Sequence, residues 1–304
     1  MVGVLGVSAS AILVRFSQAP SGVTAAYRLG WTVLLLLPVV LLRCRAELRR
    51  VTARDLVLCG ASGVLLALHF LTWFESLKRT SVASSTVLVS TEVIFTALGF
   101  ALFLHGKIPR LGVWAILLAF GGSALLALSG GGGAGELSGN LLALAAASAA
   151  AVYTLIGRIQ RGHLSTTVYT FLTFLTYLAC FLTLLLGTAA AGTPLTGYGG
   201  REWLIGLALA VLCTLLGHSL FSWCLKYLSP SYVSAAKLCE PVFSSLAAIP
   251  LFGEVPGPLQ LAGGAAVLGA VLLYTWAERE KTPAGLIRQE FFHAPPRCRG
   301  GQLP

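Results

Sequence analysis

The chain has 304 residues, of which 56% are apolar and only 11% charged, with a mean hydropathy of +0.84 and a formal net charge of +10. Soluble domains carry about 25% charged residues, so composition excludes a large soluble domain and points to an all-α integral membrane protein. A basic balance would suggest nucleic acid in a soluble protein; here the question is which side of a bilayer holds the basic residues.

A helix needs roughly 20 apolar residues to cross about 30 Å of hydrocarbon, and ten such runs follow one another. They cover Val2 to Phe16, Ala25 to Leu42, Leu56 to Leu77, Val82 to Leu104, Leu111 to Leu128, Leu137 to Ile156, Thr167 to Ala191, Trp203 to Leu225, Ser231 to Phe252 and Leu259 to Trp276. The first is short and starts at Met1, which reads as a tilted span or one whose natural start lies upstream. It lacks the basic flank and cleavage site of a signal peptide. The Gly-rich stretch Ser129 to Gly139 reads as a linker, and the Pro/Gly/Arg-rich tail after Glu278 as a disordered extension.

An even number of spans puts both termini on one side. With the N-terminus inside, 15 of the 21 Lys and Arg fall on the inner side, 5 near the outer side, and Lys237 within a span. The positive-inside rule then gives a multi-pass protein of the cytoplasmic membrane with both termini cytoplasmic.

Sliding the chain by 148 residues matches Lys78 with Lys226, Ser81 with Ser229, Glu92 with Glu240, Phe95 with Phe243 and Gly121 with Gly269, without a gap. Each copy would hold five spans, an odd number, so the second enters the membrane in the opposite sense. The organisation expected is two inverted five-helix repeats, 1–130 and 137–277, with a linker at 131–136 and a tail at 278–304.

The stretch "SPSYVSAAKLCEPVFSSLAAIPLFGEVPGPLQLAGGAAVLGAVLL", Ser229 to Leu273, resembles the closing half of an EamA-type domain of the drug/metabolite transporter superfamily. Its Glu-Pro in the ninth span, Gly253-Glu254 at the end of that span, and Gln260 with Gly263 carry the likeness. "GVLLALHFLTWFESLKRTSVASSTVLVSTEVIF", Gly63 to Phe95, resembles the matching part of a first domain. The resemblance implies ten helices around a central cavity that moves small organic solutes, often outward. It also implies a role for Arg28 lining the outer entrance, although an arginine there can equally snorkel to headgroups, as Arg15 can. The chain departs from the family pattern where Val93 replaces a proline and where His105-Gly106 stands at the first-repeat position of Gly253-Glu254.

Three ionisable residues fall deep inside spans. At about 1.5 Å per residue, Glu240 lies roughly 14 Å into the ninth span, with Lys237 one turn away and Glu92 equally deep in the fourth. Charges at such depth face a cavity or a partner. In one reading Lys237 holds an anionic group of a substrate, while a glutamate binds an amine or exchanges a proton. In the other, Lys237 pairs with Glu240 or Glu92 and the charges are structural. Ser85 and Ser234 share faces with them and suit either a cavity wall or a close helix contact. His69 and Trp73, at i and i+4, could stack a ring or bind a cation, or Trp73 could sit at the interface. Gly121, Gly122, Gly263, Gly264 and Gly269 read as packing glycines.

The seven cysteines show no metal spacing, and no P-loop, G-x-S-x-G or H-E-x-x-H is present. No metal, cofactor, enzyme activity or nucleic-acid partner is therefore expected. The sequence reads as a secondary carrier with alternating access. It would export small amino-acid-like metabolites, with protons as coupling ion if a glutamate titrates. A membrane sensor or scaffold without flux, or an intramembrane enzyme, is the alternative. Oligomeric state is not encoded in any pattern read here.

Overall fold

A computed structural model of the chain describes residues 2–103, 108–129, 134–160, 164–190, 197–218 and 239–279. Among the described residues there is no strand. The helices are α1 (Val2–Phe16), α2 (Ser21–Arg43), the one-turn α3 (Arg45–Leu48), α4 (Ala53–Arg79), α5 (Val82–Val89), α6 (Glu92–Phe103), α7 (Arg110–Ser129), α8 (Ala134–Gln160), α9 (Thr166–Ala190) and α10 (Gly199–Ala208). α10 runs into a π-wound segment, Leu209–His218, and α11 (Cys239–Phe252) and α12 (Pro258–Arg279) close the described chain. Seven helical stretches are long and apolar enough to cross a membrane, and three shorter apolar helices accompany them at Leu5–Phe16, Arg110–Leu126 and Glu240–Phe252.

Local chemistry sets the helix ends. Thr52 and Asp55 form a reciprocal capping box at the start of α4, and the Ser81 hydroxyl accepts from the Ser84 amide at the start of α5. The fourth apolar run, expected as one helix, is broken at Ser90–Thr91. There the Ser90 hydroxyl donates to the Thr86 carbonyl at 2.9 Å and the Thr91 hydroxyl to the Leu88 carbonyl at 2.6 Å. Such back-bonding competes with the helical ladder and bends it, so Glu92 falls in the first turn of a new helix, where its charge complements the helix dipole.

The bundle is assembled by neighbours distant in sequence. α4 lies on α8 and α9, α1 lies on the π-wound segment and on α11, α2 lies on α9 and α10, and α7 lies on α12. Its outer surface is apolar, with Leu42, Leu102, Leu128, Leu186 and Val255 among the exposed side chains. Lipid tails are as apolar as leucine, so cohesion between helices comes from close packing rather than from burial. Gly122 and Gly263 show it: a Cβ on either would fall 2.9 Å from the carbonyl oxygen of the other, while Gly121 and Gly269 face open space and Gly264 has Val87 no nearer than 3.9 Å. Of the five expected packing glycines, two therefore sit in a close helix contact. Gly63 is a third such point, since a Cβ there would fall 2.6 Å from the Thr173 carbonyl oxygen of α9.

Candidate functional site

The first half of α2, from Ser21 to Leu29, is wholly buried, and it carries Arg28 inward. Arg28 is 1% exposed and is the only buried cation among the described residues. Its Nε–H donates to the Thr214 hydroxyl at 2.9 Å and its Nη1–H to the Ser10 hydroxyl at 3.3 Å. The guanidinium carbon stands 4.2 Å from the Phe70 ring centroid, a cation–π contact. Tyr177 of α9 stacks on Phe70 at 5.5 Å and 6°, and its buried hydroxyl has no hydrogen-bond partner among the described residues. The π winding supplies Thr214: its hydroxyl donates to the Leu209 carbonyl five residues back, at 3.2 Å, which leaves oxygen lone pairs for Arg28. Glu240 of α11 lies within electrostatic reach of the guanidinium but makes no ion pair with it.

Arg28 thus lies in the interior rather than exposed at an entrance or among headgroups, because side chains of α1, α4 and the π-wound segment enclose it. Trp73 is also inside rather than interfacial: it is 5% exposed, its buried indole N–H has no partner among the described residues, and it stacks with His69 at 6.1 Å and 17°. His69 Nδ1 lies 2.9 Å from the Ala146 carbonyl oxygen of α8. Ser85 meets the Ser76 hydroxyl at 2.9 Å and ties α5 to α4. Glu92 is part-exposed and accepts from the Thr154 hydroxyl of α8 at 2.8 Å; it makes no direct contact with Arg28. Lys237, Ser234 and Trp223, the His218 side chain, the His105-Gly106 pair, linker residues 131–133 and tail residues 280–304 lie outside the described residues.

Sequence reasoning passed over Tyr177, Ser10, Thr214 and Phe70. The available signal was a lone arginine in an otherwise uncharged helical half, which asks for partners on neighbouring helices; which hydroxyls answer depends on the π winding, and no sequence pattern announces that.

One end of the bundle is fastened by polar contacts. Arg15, expected to snorkel, pairs through Nη2 with Glu254 Oε1 at 2.8 Å and donates through Nη1 to the carbonyls of Leu77 and Thr80. The other oxygen of Glu254 accepts the Val82 amide at 2.7 Å. Gly253, at φ +68°, makes the left-handed turn after α11 that presents Glu254. Gln260 donates to the hydroxyls of Ser81 and Ser84 at 2.5 and 2.6 Å. Glu202, 4% exposed, accepts from the Ser17 hydroxyl at 2.6 Å and the Gln18 amide at 3.1 Å. At the opposite end Gln160 donates to Asp55 at 3.2 Å, and Glu47 accepts the Ser165 amide at 2.5 Å. Among the described residues no group of three His, Cys, Asp or Glu side chains is placed to hold a metal ion.

A membrane-spanning bundle with a charge sealed at its centre and a polar clasp across one end is laid out as a carrier. The chain belongs to the EamA-like transporter family, whose model matches residues 1–128 and 137–276. It is a multi-pass membrane transporter and not an enzyme. The chain is similar to the pseudopaline exporter CntI of two strains of Pseudomonas aeruginosa, 26% identical over 69% of this chain and 72% of that protein. It is also similar to a protein of Streptantibioticus cattleyicolor named "Probable terminal-alkyne amino-acid exporter", 27% identical over 74% of this chain and 75% of that one. A crystal structure 18% identical superimposes with a TM-score of 0.63 over 92% of this chain and 96% of its own, a likeness of fold.

Proposed function

We propose that this protein exports small amino-acid-like metabolites across the cytoplasmic membrane by alternating access, with both termini cytoplasmic and two inverted five-helix repeats, 1–130 and 137–277, moving against each other. The observation that carries the reading is the Glu254 clasp, in which one carboxylate joins α1, the start of α5 and the end of α11. It closes one end of a bundle whose interior holds a charge, as one state of an alternating-access cycle requires. The names of the similar exporters support outward movement and an amino-acid-like cargo.

The pattern of neighbours supports the inverted repeats. Exchanging the first five apolar helical stretches with the second five turns the contact of α4 with α8 into that of the π-wound segment with α1, and α4 with α9 into α10 with α2. It turns α6 with α8 into α11 with α1, and leaves α2 with α9, α5 with α11 and α7 with α12 unchanged. The polar ties follow the same exchange: Ser17 after α1 reaches Glu202 in α10, and Gln160 ending α8 reaches Asp55 in α4, at opposite ends of the bundle. The separate matches to 1–128 and 137–276 fit the same division. Glu240, within electrostatic reach of the interior charge, is the group we assign to a substrate amine or a coupling proton, and Lys237, Ser234, His69 and Trp73 are the further residues we assign to solute contact.

The test is a comparison of metabolites inside and outside cells producing the protein, its Glu240→Gln variant or its Lys237→Ala variant at matched membrane levels. A compound released by the wild type and retained with both variants supports the reading. Equal profiles for wild type and empty cells refute export and favour a sensor or scaffold.

A further inference from the structure

Burying a charge is tolerated when counter-charge and hydrogen bonds replace the lost water. Arg28 is enclosed, yet both of its direct hydrogen-bond partners are neutral hydroxyls and its third contact is an aromatic face. A guanidinium carries five N–H donors, and two are used among the described residues. The hydroxyl of Tyr177, whose ring stacks on the same Phe70, is buried with no hydrogen-bond partner among the described residues. Each group has bonding capacity that an anionic oxygen would use: Arg28 has N–H donors left and no carboxylate in direct hydrogen bond, Glu240 acting on it only at longer range, and the Tyr177 hydroxyl has no acceptor among the described residues.

From this we infer that Arg28 and Tyr177 form the subsite for the carboxylate of the transported solute, and that Ser10, Thr214 and Phe70 position the guanidinium for it. The inference rests on the export reading above and sharpens it by naming the group on the substrate that is recognised. A planar guanidinium matches a carboxylate with two parallel hydrogen bonds. Arg28 is a single buried cation among the described residues, which suits one carboxylate. The subsite draws on both halves of the chain: Arg28, Ser10 and Phe70 come from the first, Tyr177 and Thr214 from the second. A carboxylate bound there bridges two sets of helices that must move relative to each other, so its arrival is felt by both.

The experiment uses the purified full chain and two probes, L-norvaline and L-phenylalanine, each beside its own amide, which keeps the amine and side chain and lacks the carboxylate. Efflux of the labelled amino acids is followed from proteoliposomes, and affinities for acid and amide are taken from the ligand-induced shift in thermal unfolding in detergent. The wild type is expected to prefer an acid over its amide by at least about tenfold, as a hydrogen bond to a charged group typically gives. Arg28→Gln should abolish that preference, Arg28→Lys should retain part of it, and Tyr177→Phe, which leaves the arginine in place, should reduce it roughly three- to tenfold. A purely structural arginine would lower acid and amide together and leave their ratio unchanged, as would variants that fold poorly, and an unchanged ratio in both Arg28→Gln and Tyr177→Phe overturns the assignment. If the wild type releases neither amino acid, the amino-acid export reading itself falls and the carboxylate subsite falls with it; if the wild type releases one but does not prefer acid to amide, only the subsite falls.

Discussion

Replacing Glu254 by glutamine keeps the shape of the clasp and removes its charge. The ion pair with Arg15 is partly exposed, at 29% and 18% for the two side chains, so it contributes about 0.5–1 kcal/mol. The Val82 amide bonded to a charged acceptor contributes about 1.5–3 kcal/mol, part of which a glutamine carbonyl retains. Together the change should weaken the clasp by about 1–2 kcal/mol, or roughly five- to thirtyfold in the ratio of closed to open. The Val82 amide is itself the reporter, because its hydrogen exchanges with solvent when the clasp opens. Hydrogen exchange followed by mass spectrometry should show the peptide containing Val82 exchanging about five- to thirtyfold faster in Glu254→Gln, and faster again in Glu254→Ala, which offers no acceptor. Gln160→Ala, at the opposite end, should leave that peptide unchanged. Exchange within twofold of wild type in Glu254→Ala would refute the view that this carboxylate holds the end shut.

Raising salt from about 0.1 to 1 M shortens the Debye length from about 10 to 3 Å, so Val82 exchange should accelerate in the wild type and change little in Glu254→Gln. Gly122→Ala should lower the Tm in detergent through a cost of about 1–3 kcal/mol, since its methyl meets the Gly263 carbonyl oxygen at 2.9 Å, whereas Gly121→Ala, facing open space, should raise or preserve it. Thr214→Val removes the acceptor of the Arg28 Nε–H and should destabilise the protein by about 1–3 kcal/mol in the same thermal assay, with Thr214→Ser restoring most of the loss. Glu92→Gln preserves the bond from Thr154, so efflux from proteoliposomes should stay within about twofold of wild type if that bond is the role of Glu92; a loss beyond tenfold would place Glu92 in the transport path.

Apolar runs and turn residues made the helices legible, because lipid exposure demands a continuous apolar surface and leaves little else to read. Where a helix breaks was harder: Ser90 and Thr91 look like ordinary polar residues in a span, and only their bonds to Thr86 and Leu88 turn them into a bend. The site was legible as charge but not as position. Arg28 was read as an entrance or snorkelling cation, because α1, α4, α9 and the π-wound segment converge on it from four distant places, and one sequence does not announce such convergence. Arg15 and Glu254 were read separately, one as a snorkelling cation and the other as a family signature. Their pairing across 239 residues depends on the left-handed turn at Gly253.

At the 148-residue offset, the positions corresponding to Glu254 and Gln260 are Gly106 and Gly112. Neither glycine has a side chain that could accept from an amide or donate to a hydroxyl, so the opposite mouth has no copy of this clasp at those positions. In the alternating-access cycle proposed above, the two resting forms would then be held by different contacts, the Glu254 clasp at one mouth and the Gln160–Asp55 and Glu47–Ser165 ties at the other, and would differ in free energy even with no solute present. Detailed balance forbids such an inequality from pumping anything: net flow still follows the gradients. What it changes is the concentration at which each mouth half-saturates, because a solute entering through the rarer form is charged the free energy of populating that form. A bias of about 1–2 kcal/mol, the size of the Glu254→Gln effect worked out above, would separate the apparent affinities at the two faces by roughly five- to thirtyfold. The same molecule would present a sensitive intake on one side and a tolerant outlet on the other.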